Sequence, residues 1–196
     1  MNISREQLIL YAVTDRAWLN GHTLYEQVEE ALEGGTTLVQ LREKNMSDAD
    51  FVNEAIPIME LCHRYNVPLI INDRVNVAAE IHADGVHIGQ SDMDAAKARE
   101  ILGPDSIIGV TAKTVEQALK AQAEGADYLG SGAVFGTTTK SDAKPMDIDT
   151  LNAICDSVDI PVVAIGGINN DNVMKLSGSR IAGIAVVSGI FDTMSH

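Results

Sequence analysis

Eight short aliphatic runs constrain this chain more than anything else in it. Each is followed by a loop and then by a longer segment with helical periodicity. The runs fall at 8–13, 37–41, 68–71, 85–88, 106–110, 128–131, 162–165 and 183–187. The helical segments between them fall at 23–33, 48–65, 75–81, 95–102, 115–124, 148–157 and 170–176. A strand returning to a parallel neighbour needs a crossover, and alternation supplies one each time. The stretches "EGG" (33–35), "HADG" (82–85) and "EGAD" (124–127) lie where a helix gives way to a strand. Glycine there suits a left-handed helix end.

Eight such units predict an α/β fold, a closed (β/α)8 or TIM barrel, over an open sheet. The open-sheet alternative lacks a GxGxxG after the first run. One domain is expected over 1–196. The chain is shorter than the roughly 250 residues typical of such barrels. The shortage falls at the end, where only "SGIFDTMSH" follows the eighth run, so the final helix is expected to be truncated.

Composition narrows the partners. Asp and Glu number 28 against 14 Lys and Arg, giving a formal charge of −14. Such a surface repels nucleic acid and anionic lipid at long range. A small phosphorylated ligand stays admissible if local cations or a bound metal reverse the potential inside a cleft. No apolar run is long enough to span a bilayer, and the N-terminus lacks the pattern of a signal peptide. Cys62 and Cys155 read as free thiols, so a cytoplasmic location is expected.

In a parallel barrel the reactive groups sit at the C-terminal strand ends. The second run ends "VQLREK", which puts Gln40, Arg42 and Lys44 at alternate positions and hence toward one side. An amide, a guanidinium and an ammonium aimed together suit a polyanion. A strand fraying into solvent is the plainer reading. The third run ends "INDR" and the fourth "GQSDMD", placing Asp73 and Asp92 at neighbouring strand ends. Two carboxylates suit Mg²⁺, although both aspartates are also good helix N-caps.

The sixth run enters "GAVFGTTTKSD", a long loop with Thr137, Thr138, Thr139 and Lys140. The seventh ends "AIGGIN" and the eighth "VVSGI". Glycines opening helices after those two strands predict a phosphate site built from the N–H groups of Gly166, Gly167, Ser188 and Gly189. Thr111, after the fifth run, faces the mouth as a hydrogen-bond donor. His87, in mid-strand, reads as a packed histidine, and Cys62-His63 as a helix segment without a second metal pair. No nucleophile–base pair is evident.

Taken in order, "LYAVTDR", "VQLREK", "INDR", "ADGVHIGQSDM", "GTTTK" and "AIGGI" resemble the thiamine phosphate synthase family over about residues 10–190. The resemblance implies that hydroxymethylpyrimidine pyrophosphate is joined to hydroxyethylthiazole phosphate. It implies a dissociative reaction, in which the bond to pyrophosphate breaks before the thiazole nitrogen attacks. It assigns Gln40, Arg42, Lys44 and Asn72 to the pyrimidine and pyrophosphate pocket, and Asp73 and Asp92 to Mg²⁺. Thr111 and Lys140 then reach the pyrophosphate, with Arg42, Lys44 and Lys140 as the catalytic cations. Thr137 and Thr139 lie near the thiazole, and Gly167, Val187 and Ser188 near its phosphate. A homodimer is compatible with it. Gly136 stands where the family often carries proline. Rival readings are a thiazole tautomerase-like isomerase, a sugar-phosphate epimerase and a catalytically inactive barrel that binds a phosphate ligand. The first needs no metal or pyrophosphate site, the second needs an acid–base pair, and the third would bind without turnover.

Overall fold

The computed structural model describes residues 2–19, 21–136 and 145–192. Eight parallel strands close into a barrel in sequence order, each paired with the strands before and after it. They are β1 (Leu10–Val13), β2 (Leu38–Leu41), β3 (Leu69–Asn72), β4 (Gly85–Ile88), β5 (Ile107–Thr111), β6 (Tyr128–Gly132), β7 (Val162–Ile165) and β8 (Gly183–Val186). The helices between them are α1 (Leu24–Glu33), α2 (Asp48–Arg64), α3 (Val75–Ile81), α4 (Ala95–Leu102), α5 (Val115–Ala123) and α6 (Ile148–Ser157), and α7 (Ser188–Phe191) follows β8. The expected fold class holds, and the final helix is one turn.

Strand alternation sorts the core into two shells. Tyr11, Val13, Leu38, Ile70, Ile107, Tyr128, Val163 and Ala185 fill the barrel, while Val39, Leu41, Leu69, Ile71 and Val86 pack outward with helix residues such as Phe51, Ile58 and Leu61. Because β2 alternates from Leu38, Gln40 points inward with it. Helix starts follow the sequence. Thr23 and Glu26 make a reciprocal capping box on α1, and Ser47, Asp94, Thr114 and Asp147 cap α2, α4, α5 and α6.

Three expectations need correction. Leu8 is not strand but the end of a 3-10 turn, Glu6–Leu8. The helix expected at 170–176 is only a 3-10 turn, Val173–Leu176. Asn169 and Asn172 take backbone N–H groups there, giving the chain local turns in place of a helical ladder. In "HADG" the left-handed residue is His82 (φ 53°), not the glycine. Gly85 lies within β4, where a Cβ would sit 2.0 Å from the Ile107 carbonyl oxygen. Its lack of a side chain lets β4 and β5 close.

The N-terminal rim of the barrel is tied by side chains. The residue just before β2, β4 and β6 accepts an N–H from the start of the preceding strand: Thr37 Oγ1 from Leu10 at 3.0 Å, Asp84 Oδ2 from Leu69 at 2.8 Å, and Asp127 Oδ2 from Ile108 at 2.9 Å. Asp127 is almost fully buried. It also pairs with Arg99 Nη2 at 2.7 Å and accepts the Asn2 N–H at 2.7 Å. This rim fixes the frame and leaves the opposite rim for chemistry.

Candidate active site

At the C-terminal rim the β2 cations converge with the end of β1. Arg42 donates its backbone N–H to Thr14 Oγ1 at 3.0 Å and its Nη1 to Asp15 Oδ2 at 2.9 Å. Its Nη2 is buried without a partner among the described residues. A guanidinium donor held dry and unspent is suited to an anion. Lys44 is exposed, with no ion pair among the described residues. Both line a cleft of about 560 Å³ with Asp15, Arg16, Glu43 and Asp50. Arg16 is held by Glu43 and Glu54, so it is already neutralised. The shared direction expected for Gln40, Arg42 and Lys44 is split: Gln40 turns into the barrel floor, and Arg42 and Lys44 line the cleft.

Asn72 ends β3 and donates to Asp73 Oδ2 at 2.7 Å. Asp73 sits in the left-handed region (φ 59°), an uncommon place for a residue with a side chain. Its backbone N–H continues the β3–β4 ladder to the His87 carbonyl oxygen at 2.8 Å. Asp92, beyond β4, folds back so that Oδ2 accepts the Gly89 N–H at 2.8 Å. Neither aspartate caps a helix: Arg74 stands at the N-cap of α3 and Asp94 caps α4. The capping reading is therefore set aside for both. Their carboxylates are exposed at adjacent strand ends. Among the described residues no third His, Cys, Asp or Glu joins them into a closed metal cage. That donor set fits Mg²⁺, which binds through one or two carboxylates and completes its shell with water and phosphate oxygens.

Beneath the mouth lies a buried polar line that the sequence reading missed. Gln40 Nε2 donates to Tyr11 Oη at 2.6 Å, and Tyr11 Oη lies 2.7 Å from Tyr128 Oη. His87 Nδ1 is 3.0 Å from Tyr128 Oη, and its Nε2 is 3.0 Å from Thr111 Oγ1. Burial first of all holds both phenols far above the ordinary tyrosine range, so each keeps its proton. His87 is packed, as expected, and Thr111 ends β5 on the inward face. The signal was available: Tyr11, Gln40, His87, Thr111 and Tyr128 all occupy inward positions once the barrel register is drawn.

The β7 and β8 ends lie side by side, with Ile165 in register with Ala185. Gly167 (φ 65°) passes so close to the β6 loop that a Cβ would sit 2.3 Å from the Gly136 carbonyl oxygen. Gly136 itself has φ 75°, which proline cannot adopt. Val187 precedes α7 and Ser188 begins it, so the Ser188 and Gly189 N–H groups lie in the first turn, where no intrahelical acceptor exists. Gly166 and Gly167 do not open a helix; only the 3-10 turn follows them. Thr137, Thr138, Thr139 and Lys140 lie outside the described residues.

Residues 10–190 match the family model for thiamine monophosphate synthase. The chain belongs to that family. It is 54% identical over 181 residues to the thiamine-phosphate synthase of Clostridium acetobutylicum, covering 92% of this chain and 86% of that protein. It is 54% identical over 187 residues to the thiamine-phosphate synthase of Ruminiclostridium cellulolyticum, covering 95% and 89%. Among solved structures, the thiamine phosphate pyrophosphorylase from Pyrococcus furiosus superposes with a TM-score of 0.89 at 41% identity, covering 97% of this chain and 90% of that one. Among the described residues no helix is long and apolar enough to cross a membrane.

Proposed function

We propose that this chain is a thiamine-phosphate synthase that joins hydroxymethylpyrimidine pyrophosphate to hydroxyethylthiazole phosphate and releases pyrophosphate. Membership of the family supports the reading. The observation that carries it to the residues is the unspent Arg42 Nη2 beside exposed Lys44, on the rim that also bears the exposed side chains of Asp73 and Asp92. Neither rival isomerase needs that combination.

In this reading Arg42, Lys44 and Lys140 take the negative charge that grows on the departing pyrophosphate. Asn72 orients Asp73 through the 2.7 Å hydrogen bond, and Thr111 donates to a phosphate oxygen. Gln40 holds the pyrimidine, with Thr137 and Thr139 beside the thiazole. Gly167, Val187 and Ser188 receive the thiazole phosphate at the paired β7 and β8 ends. Mg²⁺ held by Asp73 and Asp92 would supply charge neutralisation to the leaving group. The C–O bond breaks first and the thiazole nitrogen attacks the pyrimidine methylene cation, so positioning and electrostatics carry the rate and no protein nucleophile is required. A cytoplasmic location and a homodimer belong to the proposal, and light scattering of the purified protein reads the second.

The test mixes both substrates with Mg²⁺ and measures thiamine phosphate and pyrophosphate together. Asp92→Ala and Lys140→Ala are expected to lower turnover sharply with unchanged circular dichroism. Near-wild-type rates in both variants would remove the proposed site.

A further inference from the structure

Two successive residues after β1 hold Arg42 at both of its ends. Thr14 Oγ1 accepts the Arg42 backbone N–H at 3.0 Å, and Asp15 Oδ2 accepts Nη1 at 2.9 Å. Thr14 is fixed in its own right: it is buried, and its N–H goes to the Gln40 carbonyl oxygen at 3.0 Å. Asp15 is fixed through its other oxygen, since Oδ1 accepts the Ala17 N–H at 3.0 Å and caps the 3-10 turn Arg16–Trp18. That turn is anchored across the cleft by Arg16, which pairs with Glu43 and Glu54. Backbone N–H groups and a guanidinium can only donate, and a carboxylate can only accept. The direction of each of these bonds is therefore set by the groups themselves.

The clamp has a geometric consequence. The Arg42 and Asp15 side chains are only 11% and 18% exposed. A planar guanidinium that gives Nη1 to an anchored carboxylate cannot turn without losing that bond, so Nη2 is presented in one direction. Nη2 is the buried donor without a partner among the described residues. The clamp also has an electrostatic consequence of opposite sign. The Asp15 carboxylate lies beside the cation and reduces the pull that Arg42 exerts on a resting anion. Asp15 therefore contributes alignment, not attraction, and alignment matters most where charge is growing.

We propose that Asp15 is a positioning residue for the reaction: it occupies one guanidinium nitrogen of Arg42 so that the other is aimed at the departing pyrophosphate. The target of Nη2 rests on the pyrophosphate reading of the cleft, whereas the clamp rests on the β1 and β2 ends alone.

The test is Asp15→Ser. Serine still caps the turn by accepting the Ala17 N–H, but its shorter side chain does not reach Arg42. With both substrates and Mg²⁺, kcat is expected to fall about 10–100-fold while KM for the pyrimidine substrate moves less than about twofold. In an Arg42→Gln background, adding Asp15→Ser should cause no further loss of kcat. Equal fold-losses in the two backgrounds, or a raised KM with kcat unchanged, would mark Asp15 as merely structural or attractive and overturn the proposal. Should Asp15→Ser not fold, the near-isosteric Asp15→Asn is carried through the same cycle with the same outcomes. A second readout needs no turnover. In ¹⁵N-arginine-labelled protein, a guanidinium held on one side turns slowly about its Cζ–Nη bonds and gives resolved Nη signals. Those of Arg42, identified by their loss in Arg42→Gln, are expected in the wild type and should merge into one averaged signal in Asp15→Ser. An averaged signal in the wild type, or resolved signals in Asp15→Ser, overturns the clamp. A wild type that makes no thiamine phosphate counts against the functional reading, and the Arg42 signals still judge the clamp.

Discussion

Gly109→Ala is the sharpest test of how this interior is built. Gly109 lies on β5 beneath the Tyr128 ring, and an added Cβ would sit 2.1 Å from Cζ, 2.3 Å from the hydroxyl oxygen and 2.5 Å from Cε1. Those separations are far inside contact distance, and the ring is fully buried with nowhere to swing. Tyr128 must shift by about 1 Å or more to reach ordinary carbon–carbon spacing. Overpacking of this kind costs about 1–3 kcal/mol. The shift also breaks the bonds from Tyr128 to Tyr11 and His87, and buried polar groups left unpaired cost about 1–3 kcal/mol each. We expect about 3–5 kcal/mol of destabilisation once the interior has partly relaxed. Read by urea unfolding with circular dichroism, this lowers the midpoint by about 1–2 M for a slope near the upper end of the usual range. The control is Tyr128→Leu, which removes the obstructing atoms. Adding Gly109→Ala to that background should cost under about 1 kcal/mol, a strongly non-additive pair. Additive losses, or a small effect of Gly109→Ala in the wild type, would refute the account of the barrel interior.

Asp127→Asn should destabilise by about 2–3 kcal/mol, because the buried carboxylate loses its charge-assisted bond to the partly exposed Arg99 and holds the Ile108 N–H less strongly; equilibrium unfolding measures it, and a loss under about 1 kcal/mol contradicts the assignment. Asp73→Gly should fold more stably than Asp73→Ala by about 1 kcal/mol, since only glycine takes the left-handed backbone freely, and thermal melting of the pair compares them directly. Asp147 has its carboxyl held below the ordinary range, chiefly by the Thr150 N–H and then by the Thr150 side chain. A lowered folded pKa adds stability above the unfolded value that is lost as pH falls through the folded one. The deficit of Asp147→Ala should therefore be full at pH 7 and shrink below about pH 4; a deficit constant with pH would exclude the charged cap.

Much of the fold was legible because period and punctuation agreed. β4, β7, α3, α4 and α6 fall where the pattern puts them. The misplaced elements share a cause, local side-chain hydrogen bonding or a tertiary demand that a one-dimensional pattern does not carry. Asn169 and Asn172 captured backbone groups that a helix needed. Gly85 looked like a helix terminator but is required by the approach of β5. At the site, the motif residues of β2, β3 and β4 were visible because they are charged and sit at strand ends. Thr14, Asp15, Tyr11 and Tyr128 were not, because their importance lies in what they touch across the barrel. Asp15 was one polar residue among many until Arg42 was found against it. The aspartates show the same limit: composition alone left the capping reading of Asp73 and Asp92 open, and only the backbone at Arg74 and Asp94 sets it aside.

The side-chain ties at Thr37, Asp84 and Asp127 each join a strand to its immediate predecessor, over 27, 15 and 19 residues respectively. They bind β1 to β2, β3 to β4 and β5 to β6, dividing much of the ring into βαβ modules that each close over a short stretch of chain. Short loops close at low entropic cost, so these modules are natural early units of assembly. A circular permutant opened between α2 and β3 would keep every such tie within one continuous segment. One opened between α3 and β4 would separate Asp84 from the Leu69 N–H it receives, and should fold more slowly than the first.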